Sequence, residues 1–362
     1  MNRSTVIVIG AGIIGLSCAL RIRQAGLEVT VLEQGAVGKE ASWAGGGILS
    51  PLHPWRYQPA LLALAREGML RYAAFSQEIF QASTIDPEYL ASGLLVLDSP
   101  TSPIPEDSVS WGRSWGWNWR NVTTAELAEI APQLQGERAI YCPEVAQVRN
   151  PRLLAGLRAY LQALGVAIQE EVRIDTIIPR AGHVILQVGN KVWEAQKVVV
   201  SAGAWTADLL ASLGRKLPIA PVRGQIILLA GVPGTLPVPV LQGNHYLVQR
   251  RDGQVLVGST TELVAFDKGT TTAAREELLS FSHRVFPPSR SYPILRQWSG
   301  LRPGSPENIP MIGYLPGMEN ILVAAGHFRY GLTTAPITAE IITDLVLGRQ
   351  AKMDISPYSL PK

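Results

Sequence analysis

The chain has 362 residues and a formal net charge of +3, and it is 47% hydrophobic against 17% charged. At about 100–200 residues per domain it has room for two, and its low charge excludes a disordered polypeptide. Two cysteines (Cys18 and Cys142) and five scattered histidines leave no disulfide scaffold, thiolate zinc site or HExxH-like pair; no stretch has the Lys/Arg density of a nucleic-acid patch.

Residues 4–20 carry no charge and lie between Arg3 and Arg21, the outline of a signal peptide. No small-residue cleavage site follows and three glycines interrupt the run, so it reads as a folded element in a cytoplasmic protein. Residues 5–9 are a β-branched run, as expected of a strand buried on both faces. Gly10-Ala11-Gly12-Ile13-Ile14-Gly15 follows, then a helix to about Ala25 stopped by Gly26. Residues 29–33 read as the second strand of a βαβ unit. A helix is expected over 59–80, with Leu61, Leu62, Ala65, Met69, Tyr72 and Ile79 as its apolar stripe, and a strand over 93–97.

Residues 110–121 hold Trp111, Trp115, Trp117 and Trp119. The last three alternate and would share one face of an extended segment, where packing between domains or subunits is expected ahead of the alternative, ligand stacking. Residues 124–131 read as a short helix capped by Thr123 or Thr124. Residues 151–164 form an amphipathic helix with Pro151 at its start and Gly165 as its stop. Strands are expected over 166–172 and 197–201. Residues 215–300 read mostly as antiparallel β, with one charged helix near 273–285 and a hairpin pairing 245–250 with 254–258. Residues 224–244 lack charge, but Pro233, Pro237 and Pro239 break any spanning helix, leaving a strand over 225–230 and a loop. A strand over 321–325 runs into 326–331, then a helix over 336–347.

The glycine motif is weak alone but sits between a strand and a helix, with Glu33 ending the next strand. Gly10 permits the tight turn, Gly12 lets the backbone approach a pyrophosphate, and Gly15 allows close helix–strand packing. The helix N-terminus offers N–H groups to phosphates, and Glu33 would accept from both ribose hydroxyls while disfavouring a 2′-phosphate. Three further segments favour FAD over NAD. They are the small-residue loop Ser42-Trp-Ala-Gly-Gly-Gly47, the strand and turn over 197–205, and Gly326-His-Phe-Arg-Tyr-Gly331, which opens a second helix end.

These segments, with the 245–258 hairpin, Trp298-Ser-Gly-Leu-Arg-Pro-Gly304 and Pro310-Met-Ile-Gly313, resemble the D-amino-acid oxidase superfamily of FAD enzymes. Within it they are most similar to the bacterial glycine oxidase group, nearly end to end. The resemblance implies an α/β chain: a discontinuous Rossmann-type FAD-binding domain (1–84, 144–214 and 300–362) and an antiparallel β-rich substrate-binding domain (85–143 and 215–299). It implies noncovalent FAD held by Gly10, Ala11, Gly12, Ile13, Ile14 and Gly15, and by Glu33 and Gln34. Ser42, Ala44, Gly45, Gly46, Gly47, Ile48 and Leu49 form a second contact segment, and Val172, Ala202, Gly203 and Trp205 a third. Arg302, His327, Phe328, Arg329, Tyr330, Gly331 and Leu332 complete the set.

The guanidinium fork suits a carboxylate, and Arg302, in a Gly-Leu-Arg-Pro-Gly turn, is assigned that role by the resemblance. Tyr246, sharing a hairpin face with Val248 and Arg250, takes the place of a family tyrosine that contacts the same carboxylate. Arg329 borders the pocket or contacts flavin; Ser50 and Thr261 fall near its mouth; His327 either donates to the cofactor or satisfies its own loop. Cys18 packs as a small apolar residue. The implied reaction needs no side-chain acid–base pair: glycine, sarcosine or a small D-amino acid gives hydride to the flavin, and the imine hydrolyses to the oxo acid and ammonia or amine. Oxygen then yields hydrogen peroxide. A role in thiamine biosynthesis and a homotetramer are implied too, with no metal, nucleic acid or membrane anchor. A D-amino-acid dehydrogenase or sarcosine oxidase of the same superfamily, an NAD-dependent dehydrogenase and a non-catalytic flavoprotein are the alternatives.

Overall fold

Two eight-stranded sheets organise the computed structural model, which describes residues 2–100 and 102–361. The first sheet is parallel at its centre. Strand Asn2–Ile9 lies between Val29–Leu32 and Lys191–Val200, with Ala167–Gln169 beyond the former and Ile321–Ala325 beyond the latter. Strands Met311–Tyr314, Thr176–Arg180 and His183–Val188 add antiparallel edges. Both faces of the centre are covered. Val6, Val8, Val31 and Val199 pack under helices Ile13–Gln24, Pro59–Ser83, Asn150–Ala163 and Gly331–Val346, whereas Ile7, Ile9, Leu32, Val198 and Val200 face the antiparallel hairpin and helix Thr206–Ala211. The β-branched run at the start of the chain therefore carries no inside/outside alternation, as burial on both faces requires.

The second sheet runs in the order Ile294–Gly304, Ala220–Leu229, Val255–Gly258, His245–Gln249, Val240–Gln242, Leu94–Leu97, Ala139–Cys142, Arg120–Val122. It is antiparallel except where Val240–Gln242 runs parallel to Leu94–Leu97. Its strands alternate strictly. Ile227, Leu229, Leu247, Val255 and Val257 pack under helix Thr272–Val285. Ile226, Tyr246, Val248 and Leu256 point to the opposite face, toward Leu52, Leu62, Trp117 and Trp119. That second face is the one that meets the cofactor side of the molecule.

Several sequence expectations need correction. The tryptophan segment is not extended: Ser108–Ser114 is helical, and Gly116 (φ +77°) reverses the chain after it. The rings of Trp115, Trp117 and Trp119 still stack in succession, at 6.0 Å and 21° and then at 4.9 Å and 12°. Trp117 and Trp119 are buried against the second sheet, and Trp111 and Trp115 pack beside them half-buried. Arg302 lies in a strand rather than a turn, opposite Val222; that strand is at the sheet edge, where Pro303 forfeits no ladder bond. The last helix starts at Gly331, with Pro336 inside it. The strand expected over 166–172 is confined to Ala167–Gln169, and the one expected from 197 begins at Lys191. Helix Thr124–Ile130 has Thr123 as its cap, in a capping box with Glu126, an arrangement worth about 1 kcal/mol.

Candidate functional site

A cavity of about 510 Å³ runs between the two sheets, from Glu33 at the end of the second strand to Tyr246 and Arg302 on the second sheet. At its first end the chain leaves strand Asn2–Ile9 through Gly10, at φ +102°, a region that disfavours any side chain. A Cβ at Gly15 would overlap the Gly10 carbonyl, so the helix can approach the turn only because that side chain is missing. Gly12 caps helix Ile13–Gln24 without a side-chain bond. The Ile13 N–H donates to Ser42 Oγ at 2.9 Å, and the Asn150 amide donates to the Ser42 carbonyl at 2.9 Å, which ties the 41–47 loop to the helix end.

Glu33 is buried, and its two carboxylate oxygens accept from the Ala11 N–H at 2.7 Å and the Gly35 N–H at 2.9 Å. Both oxygens are therefore already engaged by backbone. Each retains a further lone pair for a hydroxyl donor.

At the other end Tyr246 stands on the hairpin and is buried, its ring wedged between two glycines. A Cβ at Gly46 would come within 2.5 Å of the ring, and one at Gly258 would overlap it. Burial pushes the phenol pKa up, so the hydroxyl stays protonated and can donate. Arg302 Nη2 donates to Ser259 Oγ at 2.8 Å and Nη1 to the Thr260 carbonyl at 3.1 Å. Burial, with the charge of Arg329 adding to it, pulls its pKa to about 10, which leaves it cationic at neutral pH. All of its bonds are to neutral oxygens, and among the described residues it makes no ion pair.

Sequence reasoning missed the residue that holds this wall in place. Arg250 is buried; Nη2 donates to the Gly46 carbonyl at 2.8 Å, and Nη1 to the Val148 carbonyl at 2.9 Å and Gln147 Oε1 at 3.1 Å. Burial lowers its pKa to about 10. The period of two from Tyr246 through Val248 was the signal that a charge lay on a buried face. Asn150, Ser201 and Ser259, which also line the cavity, were missed as well.

Of the sequence candidates, Gly10, Gly12, Ile13, Ile14, Glu33, Gln34, Ser42, the 44–48 run, Ser50, Val172, Ala202, Gly203 and Trp205 all line the cavity. So do Tyr246, Arg302, His327, Phe328, Arg329, Gly331 and Leu332. Ala11, Gly15, Leu49 and Tyr330 lie behind the lining, three of them as buried side chains. Thr261 lines a second chamber of about 310 Å³ that shares Leu52, Phe328 and Arg329 with the cavity. His327 Nε2 meets Thr338 Oγ1 at 3.2 Å, so the ring bonds to the helix that follows its loop, and burial pulls its pKa to about 3. Neither cysteine lines the cavity. Among the described residues no group of three or more His, Cys, Asp or Glu could hold a metal, and no helix is long and apolar enough to cross a membrane.

The donor set fits FAD. Helix ends at Gly12 and Gly331 present N–H dipoles to the cavity, a fixed carboxylate waits at one extremity, and the side-chain-free 45–47 stretch admits a flat group beside Tyr246.

Known proteins give the same answer. The model of the family described as FAD dependent oxidoreductase (DAO) matches residues 5–345. A glycine oxidase of Pseudomonas putida is 40% identical over 98% of this chain and 97% of its own length. A bifunctional protein ThiO/ThiG of Synechocystis is 35% identical over 98% of this chain and 53% of its own. The crystal structure of glycine oxidase from Geobacillus kaustophilus superposes with a TM-score of 0.95 at 26% identity, covering 100% of this chain and 99% of that one. The chain belongs to the DAO family of FAD-dependent oxidoreductases.

Proposed function

We propose that this enzyme oxidises the amine of small amino acids, glycine, sarcosine and small D-amino acids among them. The observation that carries the reading is Arg302: a half-buried guanidinium, with no acid partner among the described residues, that lines the cavity beside Tyr246. A charge drawn away from water without a counter-ion is costly, and a substrate carboxylate would relieve that cost through paired charge-assisted bonds. Glycine, oxygen and water give glyoxylate, ammonia and hydrogen peroxide.

FAD, when bound, supplies the two-electron redox chemistry. The chain's own part is positioning. Arg302 and the Tyr246 hydroxyl hold the carboxylate, and Gly46 and Gly258 fix the angle of the tyrosine ring. Arg250 holds the Gly46 carbonyl, so the loop under the substrate cannot drift. No side chain needs to take the α-proton; the neighbouring histidine, His327, is held neutral and bonded away to Thr338. The similarity to glycine oxidases and to ThiO/ThiG supports glycine as substrate and a place in thiamine biosynthesis. The family resemblance also favours a cytoplasmic homotetramer with noncovalent FAD, divided into the two domains given above. Acid precipitation that leaves flavin on the polypeptide would refute noncovalent binding.

A panel of glycine, sarcosine and D-alanine under air, read by peroxide formation, tests the reading. Peroxide with glycine supports it. Anaerobic bleaching of the flavin by an amino acid without peroxide under air would instead make the protein a dehydrogenase.

A further inference from the structure

The second chamber has a one-sided charge. Its lining includes Arg56, Arg329 and His53, together with Tyr57 and Thr261, and contains no carboxylate. Arg56 donates to Ser102 Oγ at 2.7 Å, and Arg329 Nη2 donates to Thr261 Oγ1; both acceptors are neutral hydroxyls. The Nε of Arg329 is buried without a partner. Neither arginine makes an ion pair among the described residues. Glu262, a carboxylate that acts on nearby Arg302, is itself engaged by Arg223, Gln225 and Thr260.

His53 does not supply the missing counter-charge, and it registers the local field. It is buried in a left-handed conformation at φ +53°, and its Nε2–H donates to the Gly243 carbonyl at 2.6 Å. Its Nδ1 is left buried and unpartnered. Burial pulls its pKa to about 4 against that hydrogen bond, and the charges of Arg56 and Arg329 push the same way as burial. The ring is therefore neutral at working pH, and the two guanidinia set the sign of the chamber.

The arginines are ordered by chamber. Arg302 lines only the main cavity, Arg329 lines both, and Arg56 lines only the second. Glycine carries one carboxylate and matches Arg302 alone, which leaves the exposed Arg56 and the half-buried Arg329 lining a second pocket of about 310 Å³. A second anionic group placed there would meet two planar donor forks.

We propose that the second chamber is a subsite for a second carboxylate, and that the preferred substrates are amino acids that carry one, on the amine or on the side chain. The proposal rests on the amine-oxidation reading and specifies its substrate class. Arg302 takes the α-carboxylate; Arg329 and Arg56 take the other.

The test measures kcat/KM of the holoenzyme by peroxide formation with glycine, D-alanine, N-carboxymethylglycine, D-aspartate and D-glutamate, for the wild type and for Arg56→Gln and Arg56→Lys. At least one dicarboxylate is expected to exceed glycine and D-alanine by about tenfold or more. Arg56→Gln is expected to lower the dicarboxylate-to-glycine ratio by a similar factor, and Arg56→Lys to restore part of it. The N-carboxymethyl and side-chain arms tell which position of the second carboxylate is used. Inhibition of the wild type by succinate and by acetate reads the same subsite without any variant, with succinate expected to inhibit at about tenfold lower concentration. Dicarboxylates no better than glycine, an unchanged ratio in Arg56→Gln, or equal inhibition by succinate and acetate would each overturn the subsite while leaving the oxidase reading intact. If no amino acid of either kind gives peroxide or bleaches the flavin anaerobically, the oxidase reading fails and the subsite with it.

Discussion

The two ends of the cavity are made of different materials. The Glu33 end is backbone: a left-handed glycine, a helix terminus and a carboxylate fixed by two N–H groups, all within residues 9–35. The Arg302 end is side chain: Tyr246 and Arg250 come from one arm of the hairpin and Arg302 from the edge strand of the second sheet, the first two buried and Arg302 half-buried, with their polar atoms facing carbonyls and hydroxyls. Local backbone can recognise a group common to many enzymes, such as a pyrophosphate. Selecting a substrate needs charges brought from afar, and each of these must be held by further contacts.

If the difference holds, damage at the first end removes the cofactor, whereas damage at the second spares it and lowers catalytic efficiency. The largest effect is expected at Gly15. Gly15→Ala drives a Cβ into the Gly10 carbonyl, an overpacking strain of about 1–3 kcal/mol or more on a rigid turn. The protein should purify colourless or with little flavin; full flavin content would break the backbone account. Next, Arg302→Ala should keep its flavin and lose about 3–4 kcal/mol of transition-state binding, roughly 10²–10³-fold in kcat/KM.

Arg250→Met tests whether the wall must be pinned. It strips the Gly46 and Val148 carbonyls and Gln147 of their donor, and should cost about 1–3 kcal/mol of stability, with KM for glycine rising more than kcat falls. An unchanged melting temperature and KM would show that the loop is held elsewhere. Tyr246→Phe removes one neutral donor and should raise KM a few-fold while leaving flavin content alone.

A separate effect concerns pH. His53 and His327 have folded pKa values pulled down to about 4 and about 3 from an unfolded value near 6.5. The unfolded chain thus binds more protons below pH 6.5, so stability is full above that value and declines as pH falls toward 4. A melting temperature that stays flat over that window would show that neither ring is held neutral.

The same contrast explains what the sequence made legible. The Gly10–Gly15 turn, Glu33 and the two helix ends were readable because their geometry is contiguous, and each residue's task follows from its neighbours. Tyr246 and Arg302 were named through family likeness, and Arg302 was placed in a turn because Pro and Gly flank it. Its place in an edge strand depends on pairing with Val222, which no local pattern encodes. Arg250 escaped because its partners, Gly46 and Gln147, lie about a hundred or more residues away. The helix through Trp111 escaped because alternating indoles mimic a strand until Gly116 turns the chain.

The central claim is that a bound FAD is reduced by an amino acid whose carboxylate Arg302 holds. The direct measurement is rapid anaerobic mixing of wild type and Arg302→Ala with glycine over a range of concentrations, following the loss of flavin absorbance. Saturable bleaching is expected in the wild type and, in the variant, the same starting flavin spectrum with bleaching slowed about 10²-fold or more at any given subsaturating glycine concentration. Equal bleaching in the two proteins would contradict it.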